Sequence, residues 1–470
     1  MISPDHLRRR RTQLLSRLET PALLFAGGIL PRNADNEYPY RADSNFLFFF
    51  GPTEPGAAAL FDPQEGRVTL YLPERSATAA LWSGAQRSFA AERERLDVER
   101  IVAVEELEGD LRRERRDRPL HALAVADAAT TDIAREITDL DLGPGHPGPE
   151  ALVAAIASLR LRKEKAELDE IREAGSVTRD GFVTAMRATA VGVAESELTA
   201  LVEHAFARRQ GRPAYETILT VRGEVLHNHD HSGVLRDGDL VLTDAGAEMP
   251  SGWCADLTRT WPASGRFTSE QRDVYEIVLA AQKAALAAVR PGVAWSAVHR
   301  AAALVITEGL VSLGVLRGEP ASLVERGAHA LFFPHGVGHH LGLDPHDFET
   351  FGDRILYGSG RERAQQFGTA YLRTDVDLAP GMVLTVEPGL YFTPAILESY
   401  SARFPEALDA ARVEPYLRAN GGRGFGGVRI EDNLVVTESG YEILNPPLAK
   451  EIVDVEAAVS SAREVGAPRA

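Results

Sequence analysis

Leu240-Val241-Leu242-Thr243-Asp244-Ala245-Gly246-Ala247-Glu248-Met249-Pro250-Ser251-Gly252-Trp253-Cys254-Ala255-Asp256-Leu257-Thr258-Arg259-Thr260-Trp261 reads as two strands joined by a turn, with an aspartate on each arm. Leu240 to Thr243 is apolar and partly β-branched, as a buried strand requires. Asp237-Gly238 supplies a turn before it, and Pro250-Ser251-Gly252 a turn after it. On the returning arm, Trp253 to Trp261, a period of two puts Cys254, Asp256, Thr258 and Thr260 on one face. The other face carries Trp253, Ala255, Leu257, Arg259 and Trp261. A hairpin closing here brings Asp256 toward Asp244. Two buried carboxylates face to face repel and lose hydration, so either one keeps its proton or a cation lies between them. In the ordinary alternative, Asp244 caps a turn and Asp256 pairs with Arg259 or another base. The hairpin by itself favours that alternative.

Residues further along shift the balance. Gly381-Met382-Val383-Leu384-Thr385-Val386-Glu387-Pro388-Gly389 is an apolar strand ending in a carboxylate. Val428 to Val436 sets Arg429 and Glu431 on one strand face. Pro334-His335-Gly336-Val337-Gly338-His339-His340-Leu341-Gly342 places His335 and His339 on a shared face of either helix or strand, among glycines that permit close backbone approach. Taken singly, each is more often a strand-end residue, an internal ion pair or a hydrogen-bonded histidine. As a set, Asp244, Asp256, His339, Glu387 and Glu431 offer four carboxylates and one imidazole, which suits two hard divalent cations. Cations paired about 3.5–4 Å apart clamp the reacting oxygens between them. They also offset the repulsion within the hairpin.

A chain of 470 residues exceeds what one compact core organises, so two domains are expected. Hydrophobic residues at 44% and charged residues at 25% are ordinary for a soluble globular protein. The net charge of −17 argues against nucleic acid or an anionic membrane as partner. Cys254 is the sole cysteine, which excludes an intrachain disulfide and a thiolate zinc cluster and fits a reducing compartment. No apolar run approaches the ~20 residues of a membrane span. Ala22 to Leu30 and Phe46 to Phe50 have the length of core strands. Leu7, Leu14, Leu15 and Leu18 behind Ser3-Pro4 read as an amphipathic helix, not a transit peptide, so a cytoplasmic location is expected.

Residues 1–158 alternate short strands, at Ala22 to Ala26 and Val68 to Leu72, with helices that include part of Ala79 to Glu108. They predict a smaller N-terminal α/β domain. Asn33 to Arg41 reads as a polar surface loop, and the breaker-rich run Leu142 to Pro149 as a loop near the boundary. In residues 159–470, Leu168, Ile171, Ala174, Thr178, Phe182 and Met186 form one helical stripe with Thr178 as its only polar member. Leu198, Leu201, Val202, Ala205 and Phe206 mark a second helix, stopped at Gly211. Strands follow through Glu216 to Val221 and on to the hairpin. Thr268-Ser269-Glu270-Gln271 is a capping box for a helix ending before Pro291-Gly292. Another helix spans Trp295 to Leu313, and strands return at Val383 to Val386 and Val428 to Val436. The order helix, helix, strands occurs twice and predicts two like halves around one cleft, without a sequence repeat. Phe348 to Asp377 and Thr393 to Arg423 read as irregular segments outside the core, and the chain from Arg463 as a frayed tail.

Six blocks closely resemble the pita-bread metallopeptidases: Thr243 to Gly246, Cys254 to Thr260, His335 to His339, Leu343 to Asp347, Thr385 to Gly389 and Val428 to Glu431. Within that family the likeness is strongest to the aminopeptidase P branch, with prolidase as its near relative. Asn33 to Arg41 resembles the N-terminal domain of that branch, whereas Thr393 to Gly427 resembles prolidase. The resemblance implies an α+β fold, with a duplicated pita-bread catalytic domain behind the smaller α/β domain. It implies a dinuclear-metal exopeptidase that releases the N-terminal residue from peptides with proline second. Asp256 and Glu431 would bridge both metals, Asp244 would bind one, and His339 and Glu387 the other. Glu387 would also relay protons, and His227 and His346 would contact the substrate or its tetrahedral intermediate. His335, Arg429 and Asp35 would bind substrate, Asp35 by reaching a neighbour's active site. Manganese is the implied metal, with zinc and cobalt as alternatives, and a dimer or tetramer the implied assembly.

Other motifs lead elsewhere or nowhere. Gly422-Arg423-Gly424-Phe425-Gly426-Gly427 satisfies G-x-G-x-x-G, but a β-branched run follows it where a dinucleotide loop opens a helix. His227-Asn228-His229-Asp230-His231 is one residue short of the spacing in metallo-β-lactamase-type hydrolases, and reads as a solvated strand end. Neither G-x-S-x-G nor H-E-x-x-H occurs. Cys254 has no adjoining histidine and sits within a strand, so it is not expected to be a nucleophile. Two alternatives to the aminopeptidase remain at this point: a dipeptidase of the prolidase type, and a non-catalytic pita-bread protein that docks peptides. Loss of ligands would favour the last, and all five are present.

Overall fold

Local signals in the chain settle most of the elements. The structure, a computed structural model, describes residues 2–115 and 118–464. Its contacts divide it into two units: the chain up to Arg162 with Pro250–Gly252 and Phe348–Ile355, and the remainder from Lys163 onward.

The first unit is built on a five-stranded sheet in the order Arg100–Ala103, Arg67–Leu72, Ala58–Asp62, Ala22–Phe25, His121–Ala122. The three central strands pair antiparallel, and each outer strand joins parallel. The run expected as a strand around Phe46 to Phe50 is instead a helix, Ser44–Phe50. A wholly apolar run has no period to read. The deciding signal is Asp43, whose carboxylate accepts from the backbone N–H of Asn45 and Phe46 as an N-cap. Phe49 and Phe50 then pack edge-on against Phe61 of the sheet. Asn33 to Pro39 is exposed, as a surface loop would be, while Tyr40 and Arg41 are half-buried; the segment begins in a two-stranded ribbon of Pro31–Asn33 with Asn36–Glu37. Leu142 to Pro149 is irregular, with Gly143, Gly145 and Gly148 at positive φ.

In the second unit, helices Lys165–Ala188 and Glu195–Arg208 accompany a three-stranded sheet of Leu257–Pro262, Leu240–Ala245 and Ile218–Thr220. Helices Ser269–Ala288 and Trp295–Ser312 accompany a second, of Val383–Val386, Asp432–Val436 and Tyr441–Ile443. Each half adds a two-stranded ribbon: Arg212–Pro213 with Ala247–Glu248, and Gly389–Tyr391 with Gly427–Arg429. The duplicated halves expected from the sequence are present. Thr178, the polar member of its stripe, is buried; its hydroxyl donates to Ala174 O at 2.8 Å and accepts from Ala247 N–H at 2.9 Å. A polar group in the core is thus tied at both ends. Thr268 and Gln271 form the reciprocal capping box.

The halves join edge to edge. Glu431 N–H donates to Thr258 O at 3.0 Å, and Arg429 N–H to Thr260 Oγ1 at 3.2 Å. This junction breaks the expected strand Val428 to Val436 at Ile430-Glu431. The returning arm of the hairpin is likewise shorter than its sequence suggests, with regular pairing only from Leu257. Both its faces are buried, so Arg259 is buried too and pairs with Asp432 at 2.7 Å rather than with Asp256. Thr393 to Arg423 is not irregular throughout, for it contains helices Pro394–Tyr400 and Ala410–Leu417. The glycine-rich stretch before Val428 runs into a strand, not a helix. Of the tail expected to fray from Arg463, residues 463–464 continue the helix Ile452–Glu464, and residues 465–470 lie outside the described residues. No helix among the described residues is long and apolar enough to cross a membrane.

Candidate metal centre and active site

Five stretches of the second unit deliver the acidic and imidazole groups. Asp244 is the last residue but one of a hairpin strand, and Asp256 stands just before the other. Their register places Asp244 opposite Thr258, two residues from Asp256. Tyr215 joins the two: its hydroxyl lies 2.6 Å from Asp244 Oδ1 and is also hydrogen-bonded to Asp256 Oδ1. Glu431 occupies the strand break at the junction of the halves, where Thr258 Oγ1 donates to its Oε2 at 2.8 Å. Glu387 follows the strand Val383–Val386, held by its N–H on Val337 O at 2.8 Å. His339 lies in neither helix nor strand, so it and His335 share no regular face. Its Nδ1 is 3.0 Å from His340 O, which puts the proton there. The free lone pair on Nε2 then faces Asp256 at 3.6 Å and Glu387 at 3.5 Å.

The electrostatics of this cluster ask for positive charge. Burial, then the charge of Asp244, pushes Asp256 well above the ordinary carboxylate range. Burial, then Asp256 and Glu387, does the same to Glu431. Burial and the neighbouring His346 hold His339 well below its usual value, so its ring is neutral. Tyr215 is pushed well up by burial and by Asp244, Asp256 and Glu431, and stays a proton donor. One phenol has one proton and cannot satisfy two ionised carboxylates. Oε1 of Glu431 is buried with no hydrogen-bond partner among the described residues. An orphaned carboxylate oxygen in an acidic cluster is costly unless a cation meets it. Asp256, His339 and Glu431 each aim one donor atom into a space where those atoms lie within 4.8 Å of one another. The donor chemistry fits a divalent metal.

Arg429 is buried beside the cluster, its Nη2 donating to Asp244 Oδ2 at 2.6 Å and its Nη1 to Tyr391 OH at 3.0 Å. Burial opposes its charge, but Tyr391, Asp244 and Glu387 hold it firmly protonated. His335 sits on the far side of Tyr391, with Nε2 at 2.9 Å from the phenol oxygen, and burial lowers it to about 3. His346 is half-buried and rests edge-on against His339 with ring centroids 4.5 Å apart. Burial and Arg373 bring it down to about 4. His227 is exposed and feels Arg429 and Asp244. It does not cluster with its neighbours: His231 Nδ1 lies 3.1 Å from Leu219 O, and His229 3.4 Å from Glu216. Asp35 lies in the first unit, exposed in the turn of the 31–37 ribbon. Cys254 is buried, its thiol 3.5 Å from Leu343 O. Sequence reasoning missed Tyr215, Tyr391 and the hydrogen-bonding role of Thr258. Thr258 shares the period-two face of Asp256, which is a signal; the tyrosines carry none.

The profile of metallopeptidase family M24 matches residues 169–438. The chain belongs to metallopeptidase family M24. An aminopeptidase P N-terminal domain matches residues 7–121. The Xaa-Pro aminopeptidase of Escherichia coli K12 is 34% identical over 98% of this chain and 99% of its own length. The Xaa-Pro dipeptidase of Homo sapiens is 33% identical over 97% of this chain and 94% of its own. Among solved structures, E. coli aminopeptidase P in complex with substrate matches with a TM-score of 0.81 and 31% identity, over 98% of this chain and 99% of that one. That enzyme has also been solved with the inhibitor Pro-Leu, and zinc-substituted with product. The duplicated unit of this M24 chain is therefore a pita-bread domain, and the smaller unit an aminopeptidase P N-terminal domain, as the sequence resemblance implies.

Proposed function

We propose that the protein is a two-metal exopeptidase that hydrolyses the bond between an N-terminal residue and a following proline. The observation that carries this is Glu431, grouped with Asp256 and His339 and with a buried Oε1 that has no hydrogen-bond partner among the described residues, in a chain similar along 98% of its length to an Xaa-Pro aminopeptidase. Asp256 and Glu431 would each serve both metals in this reading, Asp244 would hold one, and His339 and Glu387 would hold the other. When bound, the ions supply Lewis acidity and an acidified water. Manganese is the metal we favour, with zinc and cobalt as substitutes.

The chain's own groups do the rest. Glu387 takes the proton of the attacking water and passes it to the departing nitrogen. His346, neutral by virtue of its lowered pKa, directs an N–H at the substrate carbonyl oxygen, and His227 does the same from the exposed side. His335 and Arg429, joined through Tyr391, contact the substrate. The scissile bond is a tertiary amide without an N–H, so proline must be recognised by shape. Residues 159–470 form the catalytic domain in this scheme. Residues 1–158 govern substrate access and self-association into a dimer or tetramer, through which Asp35 reaches a neighbouring site. We place the enzyme in the cytoplasm.

A dipeptidase is the second reading, favoured by the human Xaa-Pro dipeptidase, which is similar over nearly the same span. Assay of manganese-loaded protein on an Xaa-Pro dipeptide and an Xaa-Pro-Xaa tripeptide separates them. Release of the first residue from the tripeptide is expected. Cleavage of the dipeptide alone would transfer the assignment to prolidase, and absence of both activities in metal-loaded protein would defeat the proposal.

A further inference from the structure

Lys163 and Asp347 form an ion pair at 2.9 Å in which each side chain is 1% exposed. Neither belongs to the donor set or to the substrate-contacting set above. A pair this deep loses two hydration shells, and apolar residues of similar shape commonly serve stability as well or better. The pair therefore calls for a geometric reason, and its surroundings supply one. Asp347 directly follows His346. Its backbone N–H donates to His340 O at 3.0 Å, and the same carbonyl accepts the Nδ1 proton of His339. Gly342 N–H donates to Asp344 O at 3.1 Å, and a Cβ on Gly342 would overlap the Asp347 carboxylate. The 340–347 turn is thus wound tightly around that carboxylate. The lysine end is fixed as well. Lys163 N–H donates to Gly381 O at 2.7 Å, at the entrance to the strand that leads to Glu387. Leu341 N–H donates to Val383 O of that strand at 3.2 Å.

We propose that the Lys163–Asp347 pair is a positioning device, which anchors the 340–347 turn to the Gly381 strand so that His346 is held at the substrate carbonyl. It rests on the reading of His346 as a substrate-contacting residue. A donor misplaced by an ångström loses much of its effect on the transition state, so residues that orient an active group commonly change activity when removed. The turn has a second tie in the His339 and Asp347 bonds to one carbonyl, so the metals should survive loss of the pair.

The test is a mutant cycle on metal-loaded protein with an Xaa-Pro-Xaa substrate. Lys163→Met/Asp347→Asn removes both charges and nearly keeps their shapes. It should lower kcat about 10–100-fold, with KM little changed and metal content and melting temperature near the parent's. His346→Ala should be slow by itself, and adding it to the pair variant should give an enzyme no slower than His346→Ala alone. Parent-like kcat in the pair variant beside a slow His346→Ala would make the pair merely structural and overturn the proposal, leaving the reading of His346 intact. Parent-like turnover in His346→Ala would refute that reading, and the positioning role with it. Losses that multiply would show the pair acting elsewhere, and would overturn the proposal too. If the double variant fails to fold, Asp347→Asn alone, which keeps the packing against Gly342, runs the same cycle.

Discussion

Glu431 presents two carboxylate oxygens to the fold, and the fold satisfies one of them. Thr258 meets Oε2, while Oε1 is buried with no hydrogen-bond partner among the described residues, in a carboxylate that stands with Asp256 and His339. A bridging ligand serves both metals and a terminal one serves a single metal, which separates two substitutions. Glu431→Ala should lose both metals and nearly all activity. Asp244→Ala should weaken one site and leave the other occupied. Elemental analysis of the purified variants checks this, and two metals per chain in Glu431→Ala would remove it from the bridging position. His346 makes a different case, as its ring leans edge-on against His339. His346→Ala should keep its metals and lose about 10²–10³ in kcat, the usual effect of removing one donor to a developing oxyanion. Near-normal kcat in a folded, metal-loaded variant would return His346 to an ordinary packing role. The candidate donors are legible in the sequence as a set, four carboxylates and one imidazole, because each by itself has an ordinary use as a strand-end or hydrogen-bonded residue. Tyr215 is not legible. It falls between short elements with no period around it, and only the folded hairpin brings its hydroxyl to both Asp244 and Asp256.

At the scale of elements, the hairpin reads correctly at its turns and less well at its edges. Leu240 to Ala245 is a strand as its apolar run predicts. Asp256 falls outside the regular pairing of the second arm, since the backbone there leaves the ladder to meet Asn433, whose side-chain oxygen accepts the Asp256 N–H at 3.1 Å. That contact spans 177 positions of sequence, so no local pattern announces it. The strand break at Ile430-Glu431 has the same origin, a junction with the other half of the domain. The helix Ser44–Phe50 shows the opposite failing, since its cap is local and readable but its apolar run is ambiguous. Gly246 tests how closely the hairpin's arms must approach. A Cβ there would overlap the carbonyl oxygen of Ala255, which is backbone and cannot swing aside. Gly246→Ala should therefore destabilise the protein toward the upper end of the ~1–3 kcal/mol typical of overpacking. It should also reduce metal content, because spreading the arms parts Asp244 from Asp256. Urea unfolding together with metal analysis measures both, and parent-like values in each would mean the arms have slack.

For the molecule as a whole, the doubled order of helices and strands is legible because each half repeats the same sequence of periods, whereas the pairing of the halves is not. Burial of polar groups across that domain also governs how the protein meets acid. His299, on the helix Trp295–Ser312, is buried against Phe333 and His329, and neither of its ring nitrogens has a hydrogen-bond partner among the described residues. Burial, reinforced by His329, His335 and Arg300, lowers it from 6.5 to about 3. Above pH 6.5 the ring is neutral in both folded and unfolded chains, and its titration leaves stability unchanged. Between pH 6.5 and about 3 the unfolded chain takes up a proton that the folded chain refuses, so stability falls as the pH falls. The slope is about 1.4 kcal/mol per pH unit for such a group, or roughly 2 kcal/mol at pH 5. Asp256 and Glu431 work in the opposite sense, since their raised pKa values let the folded chain bind protons more readily than the unfolded one. Comparison of two proteins cancels that contribution. His299→Phe keeps an aromatic ring beside Phe333 and removes the titration. Its melting temperature should fall less than the parent's between pH 7 and pH 5, the two curves sharing the titration of Asp256 and Glu431 along the way. Parallel losses in the two proteins would show that His299 takes up its proton inside the fold at no cost.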